Sequence, residues 1–291
     1  MNASSMNHSL NDWLAPATKR RSLLTTMVFC GFALFWQLGV RGLNEPDEGR
    51  YSSVAYEMVR SGDWLVPHFQ GHLHASKPPL LYWLVALSLK TFGINEWSAR
   101  LVPALSAFGT LILVWSMAFR WWGPARAFHT AAILLTIPLF FIVAHLTDPN
   151  MLLTFWVTLG WWAWLTWQDG GRPIHRHLFY AAHAGAFLTK GPVGCVLILM
   201  AVACLRFLGG ARVPRRRTWS WIGFLAALLA GLSWYLYMVA GRPDLVDYFL
   251  RYELYDRIFT NVHKRGEPFW FFWLVLPAGL LPWLPALAPL F

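Results

Sequence analysis

The chain has 291 residues, of which 57% are hydrophobic and 17% aromatic, and only 13% are charged, compared with about 25% in soluble domains. This composition excludes a disordered chain, a disulfide-stabilised secreted domain and an ordinary soluble enzyme, and it indicates a polytopic membrane protein. The net charge of +10 is interpreted first in terms of membrane topology, because basic residues of membrane proteins concentrate on the cytoplasmic side.

The first segment able to cross a membrane is the apolar run 22–40, which follows a basic triplet at 19–21. A span needs about 20 apolar residues. No small-residue cleavage site follows this run, so we predict an uncleaved anchor and a cytoplasmic N-terminal tail, residues 1–21. The next segment, about 43–97, is richer in charge, proline and histidine, and we predict that it forms a long first loop on the outer side.

Within that loop, the run NEPDEGRY leads into a segment with helical spacing of apolar residues that ends at Gly62. We interpret it as an amphipathic helix lying at the membrane interface. Its acidic start permits two interpretations of Asp47, either as the residue that caps the helix or as a functional carboxylate at the membrane surface.

Seven further spans are predicted at 100–119, 125–145, 149–167, 177–189, 191–208, 219–240 and 269–290. Eight crossings leave both ends of the chain inside. The inner segments then hold twelve basic residues and two acids, while the other twelve acids lie outside. The basic excess is therefore interpreted as a topology signal and not as a nucleic-acid site, and carboxylate chemistry is expected on the outer face.

Three ionisable residues lie at outer turns close to the apolar spans: Lys77, Asp148 and Lys190. The lysines could simply extend to the lipid headgroups, and Asp148, in an Asp-Pro-Asn turn, could cap a helix. Alternatively, they bind an anionic lipid headgroup and a sugar. The sequence has no HExxH, no paired-cysteine metal site, no Walker A loop and no G-x-S-x-G, so common soluble-type protease, NTPase and hydrolase signatures are absent.

A resemblance to a known family is carried by NEPDEGRYSSVAYEMVRSGDWLVPHFQG, KPPLLYWLVALSLKTFG and ARLVPALSA, followed in order by TDPNMLL, FLTKGPVG and HKRGEPFWFF. The sequence resembles the bacterial GT-C glycosyltransferases of the dolichyl-phosphate-mannose protein mannosyltransferase and lipid A aminoarabinose transferase group, over about residues 20–290. The resemblance implies an all-α polytopic membrane protein, with a GT-C-like helix bundle at 22–291. It also implies that the chain is truncated at its C-terminal end.

The activity implied is that of a hexosyl or pentosyl transferase in the bacterial inner membrane, with its active site on the periplasmic face. Such an enzyme moves a sugar from a polyprenyl-phosphate donor to a lipid or protein hydroxyl. By the resemblance, Asp47 and Asp148 match the acids of the active centre, and Lys77 matches the lysine associated with the carrier phosphate. We also expect donor-phosphate binding by Lys190, Arg257 and Arg265, and substrate binding by Glu48, Arg50, Tyr51, Tyr82 and His263.

The chemistry needs such groups. Fixed cations stabilise the leaving phosphate, and a carboxylate, for which Asp47 is the first candidate, accepts the proton of the attacking hydroxyl. In some relatives, a glutamate directly before the lysine belongs to a metal site. Ser76 occupies that position here, so we assign no metal ligand, expect no certain cofactor and leave a divalent metal open. The alternatives to an enzyme are an inactive or accessory membrane protein and a lipid-sugar transporter.

Overall fold

The computed structural model describes residues 16–209, 216–256, 260, 268 and 270–285. These residues form a helix bundle with one small β-hairpin in the described part. The elements are α1 (Pro16–Phe35), α2 (Asp47–Ser61), β1 (His68–Phe69), β2 (His72–Leu73), α3 (Leu80–Phe92), α4 (Glu96–Thr136), α5 (Pro138–Ala144), α6 (Pro149–Gln168), α7 (Pro173–Lys190), α8 (Pro192–Gly209), α9 (Trp221–Gly241), α10 (Leu245–Asp247), a π-helical segment (Tyr248–Asp256) and α11 (Phe271–Leu280). The prediction of an all-α membrane fold is confirmed, and the antiparallel hairpin is an addition to it.

Helix α2 forms where the amphipathic pattern predicts it. Its apolar side, including Val54 and Met58, is buried against α3. Gly62 ends the helix with φ of +77°, a conformation that favours glycine, and its N–H donates to the Met58 carbonyl at 3.0 Å. The helix starts at Asp47 after Pro46, and no side chain caps it. The capping interpretation of Asp47 is therefore wrong.

The two spans predicted at 100–119 and 125–145 correspond to the two helical stretches of α4, which meet at a kink, and to α5. Gly123, with φ of +82°, interrupts α4, and residues on both sides of the break pack into one core with α1. The helix then ends at Thr136 and restarts as α5 at Pro138, because a residue before proline is pushed out of the helical conformation. The segment predicted as a span at 125–145 is therefore helical on both sides of a break at Ile137.

By length and composition, α4 and α9 can each cross a membrane, and the pair α5–α6, bent by 112°, adds up to one more span among the described residues. The other predicted spans overlap α1, which ends at Phe35, and α7, α8 and α11. The eight-crossing topology stays a prediction. Large apolar side chains on α9 are exposed, such as Ile222 at 83%, which is the surface that lipid would cover.

Helix α6 runs from one end of the bundle to the other. It packs against α7, where a Cβ atom on Gly185 would lie 2.5 Å from the Trp156 ring, so the two helices approach closely there. Twenty residues at about 1.5 Å each separate its ends by about 30 Å. Asp148 precedes its first turn and Gln168 ends its last turn, so these two residues mark opposite ends of the bundle.

Candidate active site

Asp47 and Asp148 line one cleft of about 230 Å³, together with Asn44, Glu45, Pro46, Glu48 and Leu146. Asp47 comes from the start of α2, and Asp148 from the turn between α5 and α6. The structure thus brings together the two acids that the sequence analysis selects. The side chain of Asp47 is 62% exposed and forms an ion pair with Arg50. One carboxylate is therefore accessible at the mouth of the cleft.

Asp148 caps α6, as one of the two interpretations of its turn predicts. It accepts hydrogen bonds from the backbone N–H of Asn150 at 2.7 Å and from the Asn150 side-chain amide at 2.9 Å. Lys190, at the end of α7, donates to the carbonyl oxygen of the same amide. Burial raises the pKa of Asp148 above its ordinary value, against the opposing effects of the Asn150 hydrogen bonds and the Lys190 charge.

Glu48, beside Asp47 in sequence, also lines the cleft, but its carboxylate is buried and bound by protein donors. Its side chain is 2% exposed. It accepts hydrogen bonds from the backbone N–H groups of Asn44 and Thr147, and from the side chains of Arg41 and Arg100. Burial favours a higher pKa for Glu48, but the guanidinium of Arg100 and the two backbone donors outweigh it and hold the pKa below its usual value.

Arg100 is fully buried at the start of α4, and all five of its N–H donors are used. Two bind the carboxylate of Glu48, at 2.9 and 3.1 Å. The other three reach the carbonyls of Leu38, Arg41 and Gly42, at 3.2, 2.7 and 2.7 Å. The guanidinium of Arg100 therefore binds three carbonyls of the chain between α1 and α2.

The Glu48–Arg100 pair fixes both sides of the cleft. Glu48 directly follows Asp47, and it holds the N–H of Thr147, which directly precedes Asp148. The prediction that Glu48 binds substrate is wrong, because protein donors occupy both of its carboxylate oxygens. We assign Glu48 and Arg100 as positioning residues for the two acids.

Aromatic and cationic side chains extend the site from the cleft towards α3. The rings of Tyr51 and Tyr82 stack at 5.8 Å between centroids, and Arg50 lies over Tyr51 at 5.2 Å. The Tyr82 hydroxyl and the Nε of Arg50 are buried and have no hydrogen-bond partner among the residues that the structure describes. Burial and the nearby charges of Arg50 and Lys77 lower the pKa of His74, whose ring meets Tyr82 edge-on.

Lys77 lies between the first loop and the π-helical segment. Its side chain is 15% exposed, and its Nζ lies 3.7 Å from an oxygen of Glu253. Glu253 also accepts a hydrogen bond from the Tyr248 hydroxyl at 3.2 Å. The Lys77 side chain is mostly buried and its ammonium group faces a carboxylate, so it does not extend to the lipid headgroups as the simple interpretation predicts.

Three predicted site residues, Arg257, His263 and Arg265, lie outside the described residues. Among the residues described, no three histidine, cysteine, aspartate or glutamate side chains are placed to hold a metal ion. Ser76, at the position of the metal-site glutamate of some relatives, shares a hydrogen bond with His74 at 3.0 Å. The described residues therefore do not fit a metal, and whether the protein uses one stays open.

Arg100 and Glu253 are two residues of the site for which the sequence predicts no role. For Arg100 a signal exists, since an ionisable residue at the start of an apolar span is costly unless it is paired. For Glu253 no local signal exists, because its partner Lys77 is far away in the sequence and only the folded chain brings the two together.

The helix bundle, with an acidic cleft and adjoining cations at one end, defines a membrane protein of the GT-C glycosyltransferase fold. The family model described as dolichyl-phosphate-mannose-protein mannosyltransferase matches residues 76–246. The chain belongs to this family.

Two of the similar curated proteins are named undecaprenyl phosphate-alpha-4-amino-4-deoxy-L-arabinose arabinosyl transferases. The protein from Shewanella sediminis is 32% identical over 254 residues, which cover 85% of this chain and 46% of that protein. The second, from Pseudomonas fluorescens, is 30% identical over 264 residues, covering 88% and 45% respectively. The chain thus spans about half the length of the curated relatives it matches.

The fold is also similar to a crystal structure of ArnT from Cupriavidus metallidurans bound to undecaprenyl phosphate. The TM-score is 0.81 at 27% sequence identity, and the match covers 92% of this chain and 50% of ArnT. The apo structure of ArnT matches with a TM-score of 0.78 at 26% identity.

Proposed function

We propose that this chain carries the sugar-transfer site of a glycosyltransferase that uses a polyprenyl-phosphate-linked sugar and a lipid or protein hydroxyl as acceptor. The observation that carries the proposal is the shared cleft of Asp47 and Asp148. The names of the relatives make 4-amino-4-deoxy-L-arabinose on undecaprenyl phosphate the first donor to test. Lipid A, an acceptor that the family resemblance implies, is the first acceptor to test. We place the site on the periplasmic face of the bacterial inner membrane.

The proposed reaction is a displacement at the anomeric carbon. The bond from this carbon to the phosphate oxygen breaks, a bond to the acceptor oxygen forms, and the hydroxyl proton passes to a carboxylate. Asp47, exposed at the cleft, is suited to be that base. Asp148, deeper and capping α6, is suited to contact the sugar or to stabilise positive charge at the anomeric carbon.

The leaving phosphate gains negative charge in the transition state, and a fixed cation at that position stabilises it. Lys77 and Lys190 are the described candidates. Lys77 donates to the carbonyl of Ser76 at 2.9 Å and Lys190 donates to Asn150, so the positions of both ammonium groups are set before a donor binds. Tyr51, Tyr82 and Arg50 are proposed to line the path of the substrate.

The test is sugar transfer by purified chain in membrane vesicles, with radiolabelled polyprenyl-phosphate sugars and total membrane lipid and protein. Label that moves to an acceptor with wild type, and not with Asp47→Asn, supports the proposal and shows the acceptor class. If well-folded chain transfers no sugar from any donor, the accessory or inactive alternative is favoured. Uptake of the intact labelled donor without transfer would instead favour a transporter.

Replacing Lys77 by methionine is expected to weaken binding of the donor about 10- to 100-fold, which is the usual cost of losing a charge-assisted hydrogen bond. Glu253→Gln is expected to leave donor binding equal to that of wild type or tighter, because it removes a carboxylate that competes with phosphate for Lys77. The measurement is donor-concentration dependence of transfer. Equal weakening in both variants would show that the Lys77–Glu253 contact only supports the fold.

The pH dependence of transfer is expected to respond to Lys190. A carboxylate that must be ionised loses activity as the pH falls through its pKa, and burial raises that pKa for Asp148. The Lys190 charge opposes this increase, so Lys190→Met should raise the pKa further and move the acid limb of the rate profile to higher pH. The control is Lys90→Met, which removes an exposed lysine from α3. If the acid limb moves equally in both variants, Asp148 does not determine it.

A further inference from the structure

A second cluster of charge lies at the end of α6 opposite Asp148, about 30 Å from the proposed active site. Three segments meet there, namely the first turn of α7, the last turn of α8 and the chain that enters α9. Each contributes one arginine. We call Arg176, Arg206 and Arg216 the arginine cluster.

The guanidinium groups of the cluster lie over two indole rings of α6. Arg216 and Arg176 share Trp167, with their central carbons 3.5 and 5.4 Å from the ring centroid. Arg206 lies 5.2 Å from the centroid of Trp164. Cation–π contacts of this kind hold arginines in place without neutralising their charge.

A buried glutamine organises the cluster. Gln168 is 3% exposed, and its amide oxygen accepts from Nη2 of Arg206 at 3.3 Å and from the backbone N–H of Arg216 at 2.9 Å. Its amide nitrogen donates to the hydroxyl of Thr218 at 2.8 Å. The last turn of α8 and the chain that enters α9 are therefore both held to the end of α6 by one polar side chain.

The cluster has no carboxylate to balance it in the part of the chain that the structure describes. The acid nearest in sequence, Asp169, pairs with Arg120 at 3.2 Å. Capping of the end of α6 explains Arg216, whose Nη1 donates to the carbonyl of Trp167 at 3.5 Å and to that of Gly171, just after the helix, at 2.7 Å. It does not explain Arg176, whose Nε is buried without a hydrogen-bond partner among the described residues.

Exposed aromatic side chains place the cluster at the depth of lipid headgroups. Trp219 and Trp221, just after Arg216, are 45% and 65% exposed, and Phe207, next to Arg206, is 86% exposed. Tryptophans of membrane proteins concentrate at the level of the headgroups. Below them, α8 exposes Leu199 and Met200, which gives an apolar surface for acyl chains.

We propose that the arginine cluster is a binding site for the phosphate diester of an anionic membrane lipid. Arginine is the side chain best suited to this ligand, because its planar fork donates two parallel hydrogen bonds to phosphate oxygens. A bound phosphate would balance three charges that no described carboxylate balances and would offer an acceptor to the Nε of Arg176. Basic pockets between membrane helices bind anionic headgroups in this way.

The test is lipid binding to the purified full chain in neutral detergent, by native mass spectrometry and thermal unfolding. Phosphatidylglycerol is expected to bind about tenfold more tightly than phosphatidylcholine, and inorganic phosphate is expected to give no comparable thermal protection. The double substitution Arg176→Gln/Arg206→Gln should weaken phosphatidylglycerol binding about tenfold or more. Loss of helix content in this variant is checked by circular dichroism.

The matched control is Arg20→Gln/Arg126→Gln, which removes the same charge from the same end of the bundle. There Ser22 of α1 bonds the carbonyl of Pro124, and Arg120 of α4 pairs with Asp169 directly after α6. We expect it to weaken binding less than about threefold. Equal loss in both double variants would show a general surface charge and overturn the site. Equal affinity for both lipids would overturn it too, and so would equal protection by inorganic phosphate.

If the double variant does not fold, Arg176→Gln alone tests the proposal, because it leaves the hydrogen bonds of Gln168 intact. Weaker binding of phosphatidylglycerol by this variant supports the site, and unchanged binding overturns it.

Discussion

Sugar transfer is expected to fall about 10²- to 10⁴-fold when Asp47 is replaced by asparagine, which is the usual contribution of a general base. The side chain is exposed at the cleft, and asparagine has nearly its size but cannot take up a proton. Donor binding should change little, since the phosphate is assigned to the lysines. The measurement is the initial rate of transfer at saturating donor, in vesicles with equal amounts of inserted protein.

Two controls make this result specific. Asp247→Asn removes another exposed acid from the predicted outer side and should leave the transfer rate within about twofold of wild type. Arg50→Gln removes the ion-pair partner of Asp47 and should reduce the rate less than Asp47→Asn does. Near-normal transfer by Asp47→Asn, at matched expression, would remove Asp47 from the proposed role of base.

The fold was largely predictable because the elements that form it leave local patterns. Apolar runs of membrane length predict the helices, and the spacing around Tyr51 together with Gly62 predicts α2 and its end. The interruption at Ile137 was also readable in principle, because Pro138 follows it. Mean hydropathy alone does not register this backbone break, which divides the predicted span 125–145 into two helical stretches.

The candidate site was predictable only in part. Acids in short turns stand out against an apolar chain, which selects Asp47 and Asp148, and the structure brings both to one cleft. Sequence spacing does not tell which acid of a pair points outward. Asp47 and Glu48 are neighbours, yet the side chain of Asp47 is 62% exposed and that of Glu48 is 2% exposed. Successive helix residues point in different directions, and only Glu48 points towards Arg100.

The Glu48–Arg100 pair gives the second large prediction. Arg100→Met is expected to destabilise the protein by about 3–5 kcal/mol, because it leaves the carboxylate of Glu48 buried without its main partner. It also removes the donors that hold the carbonyls of Leu38, Arg41 and Gly42. The control Arg60→Met changes an exposed arginine at the end of α2 and should cost less than about 0.5 kcal/mol.

The double variant Glu48→Gln/Arg100→Met separates the effect of the unpaired charge from that of the lost packing. Its neutral amide removes the unpaired buried charge, and its one carbonyl oxygen can still accept from the N–H of either Asn44 or Thr147, which bind different oxygens of Glu48. We therefore expect it to recover part of the stability that Arg100→Met loses. Unfolding in mixed micelles, measured for the four members of the cycle, gives the coupling energy. A double variant that is as unstable as the two single losses added together would show that the pair is not coupled. Recovery of stability without recovery of sugar transfer would show that the charged pair is needed to place Asp47 and Asp148, beyond keeping the chain folded.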